Sequence, residues 1–177
     1  MTRQLLLLRH AKSSQDNPSL DDHNRPLNKR GQHAAKIMAS HLKQADLKPG
    51  LVLCSTAERA RRTLDPIQDI WLNIAVNFEG DLYLASVADT LSLLRRSGSV
   101  KRILVIGHNP TMDATVHYLM DRTVAQISRA TADISSKYPT GALAVMELDI
   151  ESWGDIKKGC GRLTHFIKPR DLEDKQL

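Results

Sequence analysis

Leu5-Leu6-Leu7-Leu8-Arg9-His10-Ala11-Lys12 is the stretch whose reading decides the fold. A run of four leucines reads as a short strand buried on both faces, as strands of a parallel sheet are. An arginine and a histidine follow at the point where that strand should end. Burying an arginine costs several kcal/mol unless its charge is matched, so an anion is expected there. In open α/β sheets the carboxyl ends of the strands are where ligands sit. Arg9 and His10 are therefore a candidate anion-handling pair.

Outward from this strand, apolar runs alternate with segments of helical period, the pattern of an α/β sandwich. A polar loop from Ser13 to Arg25 leads to a helix capped by Asn28, with Ala34, Ile37, Met38, His41 and Leu42 on one face. Leu51 to Cys54 is a second strand, and Pro49-Gly50 punctuates its approach. Ser55-Thr56-Ala57-Glu58 has the spacing of a capping box, so a helix should start directly after that strand. Pro66 predicts a kink there, or a second helix capped by Asp65. Ile74 to Phe78 is a third strand; Ser86 to Asp89 is another capping box, opening a helix with Val87, Leu91 and Leu94 inward.

Ile103 to Ile106 is a fourth strand, closed by Gly107-His108-Asn109-Pro110. Asn109 as cap and Pro110 at the first helical position predict a helix through Tyr118 and Leu119. Ala142 to Leu148 and Arg162 to Ile167 are strands with only a turn near Trp153-Gly154 between them, so they should pair antiparallel at one edge. The fold class expected is α/β, a three-layer sandwich with a mostly parallel central sheet, helices on both faces and an antiparallel edge. Residues 1–170 are expected to form one domain and 171–177 a solvated tail.

Bulk properties narrow the function. A chain of 177 residues, 41% hydrophobic and 25% charged, suits one globular domain with a sizeable core. The formal charge of +5 permits an acidic ligand. The basic residues are scattered and aromatics make up 4%, so a nucleic-acid surface with a basic stripe and stacking rings is not expected. Cys54 and Cys160 are too few for a disulfide framework or a zinc site. No signal peptide and no apolar run of membrane-spanning length is visible, so a cytoplasmic, soluble protein without a membrane partner is expected.

Chemistry converges on one sheet edge. Arg9 and His10 follow the first strand, Arg59 lies in the first turns after the second, and His108 follows the fourth. If those strands are parallel, all four side chains leave the same edge, where helix N-termini also point. Arginine forks suit the oxygens of a tetrahedral dianion, and histidine supplies a nucleophile or proton carrier near neutral pH. Singly, each has a plainer explanation: a buried satisfied histidine, a turn brace, a solvated helical arginine.

Leu8-Arg9-His10-Ala11-Lys12-Ser13 resembles the Arg-His-Gly or Arg-His-Ala signature of the histidine phosphatase superfamily. Arg25-Pro26-Leu27 is similar to a segment of its SixA-like phosphohistidine phosphatase branch. Ser55 through Thr63 is similar to the superfamily's Ser-x-x-x-Arg-Ala-x-x-Thr helix start. Leu82-Tyr83, Gly107 to Pro110 and Pro139 to Ala142 also match in order, so the resemblance spans nearly the whole chain. It implies a phosphoglycerate mutase-like fold and a metal-independent phosphatase with no cofactor. His10 would accept the phosphoryl group, Arg9, Arg59 and His108 would form the phosphate pocket, and Arg25, Lys12 and Asn109 would contact substrate. For the general acid, Glu79 and Asp81 lie in the stretch that corresponds to the mutase glutamate but in neither case within its usual motif, and Asp21 and Asp22 in the first loop are the alternatives.

The resemblance implies as partner either a protein carrying phosphohistidine or a small phosphorylated metabolite. The alternatives are a mutase or small-molecule phosphomonoesterase of the same superfamily, and a phosphate-binding module without turnover. A mutase must shield its intermediate from water, and the chain shows no long insertion for a lid. A cysteine-dependent phosphatase fails on spacing, because Arg59 comes one position too early after Cys54 for a Cys-x5-Arg loop.

Overall fold

The computed structural model describes residues 2–121, 134 and 137–173. The leucine run lies in β1 (Arg3–Arg9), and all four leucines are fully buried. Strand geometry sends alternate side chains to opposite faces, so Leu5 and Leu7 enter one core while Leu6 and Leu8 enter the other. Burying each contributes about 1.5–3 kcal/mol. One strand thus holds both cores together.

The chain continues through α1 (Lys29–Gln44), β2 (Leu51–Ser55), α2 (Glu58–Ile70), β3 (Val76–Glu79), α3 (Val87–Arg95), β4 (Arg102–Gly107) and α4 (Thr111–Leu119). It ends in β5 (Leu143–Leu148), β6 (Gly161–Ile167) and a short α5 (Pro169–Glu173). The sheet order is β3-β2-β4-β1-β5-β6, with the first four parallel and β5 and β6 antiparallel. Met38 and Leu42 of α1 and Leu64 and Ile67 of α2 pack on the Leu6/Leu8 face. Leu94 of α3, Met112 and Val116 of α4, and Trp153 cover the other. The three-layer α/β architecture with an antiparallel edge is therefore present.

Local departures have physical reasons. The third strand starts at Val76 rather than Ile74, whose backbone N–H closes a turn onto Trp71 O at 3.1 Å. It is the sheet's outer parallel strand, and Phe78 on it is exposed. Asn28 caps α1 as expected, its side chain accepting from the Gly31 N–H at 2.8 Å. The Ser86–Asp89 capping box also forms, with both reciprocal bonds. The Ser55–Glu58 box does not: Ser55 ends β2, and Ala57 occupies the cap position with no side-chain bond. Pro66 lies inside one continuous helix, so no second helix starts at Asp65. α4 begins at Thr111, one residue later than expected, with Pro110 at its cap position. Of the expected tail, 171–173 complete α5, and 174–177 lie outside the described residues.

Candidate active site

Parallel pairing of β2, β4 and β1 delivers their carboxyl ends to one edge. Arg9 pairs in register with Gly107, which places His10 beside His108. Their ring centroids are 4.9 Å apart and tilted by 51°. Arg59 reaches the same point from the first turn of α2, and its two neighbours on the helix do not. Arg61 lies exposed over the Phe78 ring at 5.0 Å, and Arg62 pairs with Glu58 at 2.7 Å. The plainer reading of helical arginines holds for those two. His10, Arg59 and His108 keep 7%, 8% and 8% of their surface, so they are buried yet reachable from one side.

The tautomer of His10 follows from its neighbours. Its Nδ1 lies 2.7 Å from the Ala11 carbonyl, which can only accept, so Nδ1 carries the proton. Arg59 Nε donates to His10 Nε2 at 3.3 Å, which requires a lone pair on that nitrogen. Nε2 therefore keeps its lone pair, facing the guanidinium. Burial, reinforced by the Arg59 and Arg9 charges, pushes the His10 imidazole down to about 4. The ring is neutral across the physiological range.

Arg59 is also held by Asp22. Its Nη1 donates to the Asp22 carbonyl at 2.6 Å and its Nη2 to Asp22 Oδ2 at 2.9 Å. The same carboxylate oxygen accepts from the Tyr83 hydroxyl at 2.7 Å, while Arg25 Nη1 donates to Oδ1 at 2.8 Å. The Tyr83 hydrogen bond, with the Arg59 charge and bond behind it, holds the Asp22 carboxyl below its ordinary range. Tyr83 also stands edge-on to His108, with centroids 5.6 Å apart.

His108 is fixed from behind by Ser55, whose Oγ lies 2.8 Å from its Nε2. Burial first, then the neighbouring His10 and Arg59, pushes its imidazole down to about 3. Arg9 Nη1 donates to the Tyr138 carbonyl at 2.7 Å, and Asn109 Nδ2 donates to the same oxygen at 3.3 Å. Among the described residues, Arg9 Nε, His108 Nδ1 and Asn109 Oδ1 are buried polar atoms without a hydrogen-bond partner. Native interiors rarely leave such atoms unpaired, and these three lie at one sheet edge. Two guanidiniums with two neutral imidazoles suit a tetrahedral anion. Among the described residues, no group of three or more His, Cys, Asp or Glu could hold a metal ion.

The structure thus brings together His10, Arg9, Arg59, His108 and Asn109, with Asp22 as the carboxylate touching Arg59. Arg25 donates to Ser14 O, Ser13 Oγ and Asp22 Oδ1, which braces the loop and links it to the site through Asp22. The Lys12 side chain is exposed and lines a separate groove beside the site. Glu79 pairs in register with Ser55, and Asp81 lies exposed in the following turn; no hydrogen bond joins either to His10, Arg59 or His108 among the described residues. Ser55, Thr63 and Tyr83 stand in the quoted motifs with no site role assigned, Ser55 being read as a helix cap. The Thr63 hydroxyl accepts from the Ala11 N–H at 3.0 Å and donates to the Arg59 carbonyl at 2.7 Å. The Ser-x-x-x-Arg spacing carried the signal for Ser55, since it places the serine at the strand end and the arginine one helical turn beyond.

A family model described as the histidine phosphatase superfamily (branch 1) matches residues 5–82. A SixA structure from Agrobacterium tumefaciens, named as a candidate phosphohistidine phosphatase, is 30% identical with a TM-score of 0.79, over 94% of this chain and 98% of that one. Its counterpart from Nakamurella, named the same way, is 27% identical with a TM-score of 0.83, over 96% and 97%. An uncharacterized protein of Mycobacterium tuberculosis is 34% identical over 165 residues, covering 92% of this chain and all of the relative.

Proposed function

The chain belongs to the histidine phosphatase superfamily, in its SixA-like branch, and from that premise we propose that it is a metal-independent phosphatase working through a phosphohistidine on His10. One observation carries the reading: His10 Nε2 presents a lone pair to the Arg59 guanidinium while Nδ1 is tied to a carbonyl. In the first step Nε2 attacks phosphorus in line, the bond from phosphorus to the leaving group breaks, and that group departs with its electron pair. Arg9, Arg59 and His108 hold the equatorial oxygens and offset the charge that builds there. In the second step water attacks the phosphohistidine, the P–N bond breaks, and inorganic phosphate leaves.

Asp22 is ionised and its oxygens accept from Arg59, Tyr83 and Arg25, so it orients Arg59 and does not suit donating a proton to a leaving group. A site whose touching carboxylate is no acid favours a leaving group that departs without strong protonation. An imidazole does so more readily than an alkoxide, which favours a protein phosphohistidine over a sugar phosphate as substrate. A small phosphomonoester remains the second reading, since Tyr83 keeps its proton and stands beside the site.

The test is a metal-free assay on phosphohistidine proteins and small phosphate compounds, with acid-labile phosphoenzyme trapped in parallel. His10→Ala is expected to lose both turnover and label while melting as the parent does. Arg59→Ala should lose about 10²–10³-fold in kcat, as removal of a transition-state donor does elsewhere. Activity retained by His10→Ala would remove the nucleophile assignment.

A further inference from the structure

Beside the site runs a groove of about 440 Å³ whose lining is dominated by cations: Lys12, Arg30, Lys137, Lys168 and Arg170, with Glu173 as the acidic member. They come from four parts of the chain: the loop after β1, the start of α1, the 137–140 segment, and the end of β6 running into α5. Lys12, Arg30, Lys137 and Arg170 are exposed. Among the described residues no carboxylate pairs with Lys12, Arg30 or Lys137. Arg170 has Asp171 at 3.5 Å, and Glu173 is itself engaged by His33 at 3.3 Å.

Two backbone segments join this groove to the candidate active site. Lys12 stands two residues beyond His10. Its carbonyl accepts from Asn28 N at 3.0 Å, which locks the loop to the start of α1. Gly141 N donates to the carbonyls of Arg9 and His10, both at 3.0 Å, and the Tyr138 carbonyl holds Arg9. The segment that shapes the back of the site therefore also carries Lys137, Pro139 and Thr140 into the groove.

We propose that this groove receives a carboxylate-rich segment of a phosphoprotein substrate, next to the phosphorylated side chain that enters at His10. The proposal rests on the phosphatase reading and deepens it by naming the substrate class. Cations spread along a groove, three of them (Lys12, Arg30 and Lys137) without a carboxylate partner among the described residues, suit an extended run of single charges; a lone phosphate is met by convergent forks. Among the described residues no aromatic ring lines the groove, which leaves single-stranded nucleic acid without a stacking platform. Pro139 and Pro169 give it walls that carry no backbone N–H.

The test uses the whole chain and two independent readouts. Fluorescence anisotropy with a labelled, non-phosphorylated peptide rich in Asp and Glu reads the groove without turnover, and a neutral peptide of equal length is the reference. The acidic peptide is expected to bind at least about tenfold more tightly at low salt, with the gap closing as ionic strength rises. Arg30→Glu combined with Arg170→Glu should abolish the difference. In that variant turnover of a small phosphomonoester should stay at the parent level, while kcat/KM on an acid-flanked phosphohistidine peptide falls about 10- to 100-fold.

Equal binding of the acidic and neutral peptides, or a preference that survives the double substitution, overturns the proposal. Tighter binding of tripolyphosphate or single-stranded RNA than of the acidic peptide overturns it as well. Should no phosphate compound be turned over, the phosphatase reading alone fails, and the anisotropy result still decides the groove.

Discussion

The two histidines at the sheet edge are neutral because burial and flanking guanidiniums disfavour their charged forms, and that sets the pH behaviour. His10 is pushed down to about 4 and His108 to about 3 from the ordinary value of 6.5. Turnover should therefore hold as pH falls below 6.5 and decline only as it approaches about 4, when His10 loses its lone pair. The same shift sets the sign for stability. Above 6.5 both folded and unfolded forms carry neutral rings; below it the unfolded chain takes up protons that the fold refuses, so stability falls from about 6.5 toward about 4. Melting temperatures across that window check this, and a profile no shallower in a His10→Ala/His108→Ala double variant would contradict it. Ser55→Ala removes the bond at 2.8 Å and leaves His108 with neither nitrogen paired. A net hydrogen bond of about 0.5–1.5 kcal/mol sets the expected loss in kcat/KM at up to about tenfold, with the melting temperature moving little. His10, Arg59 and His108 were legible because each directly follows or opens an element at a strand end. Ser55 was not, because its spacing to Glu58 also satisfies a local capping rule, and the tertiary partner won. The Tyr83–Asp22 pair lay beyond reading, since 61 positions and four elements, α1 to β3, separate its members.

At the scale of elements, the first turn of α1 is what keeps the loop after His10 in place. A Cβ built on Gly31 would stand 2.1 Å from the Lys12 carbonyl oxygen, and the N–H of Gly31 is the one Asn28 caps. Helix propensity alone favours alanine there by about 1 kcal/mol. Overpacking costs about 1–3 kcal/mol, more when the obstructing atom is backbone with no rotamer to yield, so the steric effect wins. Gly31→Ala should melt at lower temperature and lose turnover as well, because the displaced backbone lies two residues from His10. A variant at or above the parent's melting temperature would show that the loop yields freely. Most elements were legible from period and caps: the leucine run, Asn28, and the Ser86–Asp89 box. The boundary of β3 was not, because an outer strand exposes residues on both faces and loses the apolar pattern that marks its neighbours.

For the whole molecule, the sheet separates the two thiols and so fixes their chemistry. Cys54 packs with the α1/α2 core, and Cys160 packs against the core on the opposite face. Four strand spacings lie between β2 and β6, about 19 Å, and a disulfide needs Cα atoms within about 7 Å. No internal disulfide can form without unfolding. Burial pushes the Cys54 thiol up to about 12, which leaves it almost wholly protonated and unreactive in the fold, whereas Cys160 is half-buried. Ellman's reagent should accordingly find at most one thiol in the native protein and two after denaturation without reductant. Alkylation of the native protein should leave phosphatase turnover unchanged, since no sulfur stands among His10, Arg59 and His108. Inactivation by modification of Cys160, or two thiols titrating rapidly in the native state, would contradict this arrangement. Separating the readouts matters: loss of activity only after denaturation traces to unfolding, and loss in the native state would demand a sulfur at the reacting phosphorus, for which the sheet leaves no place.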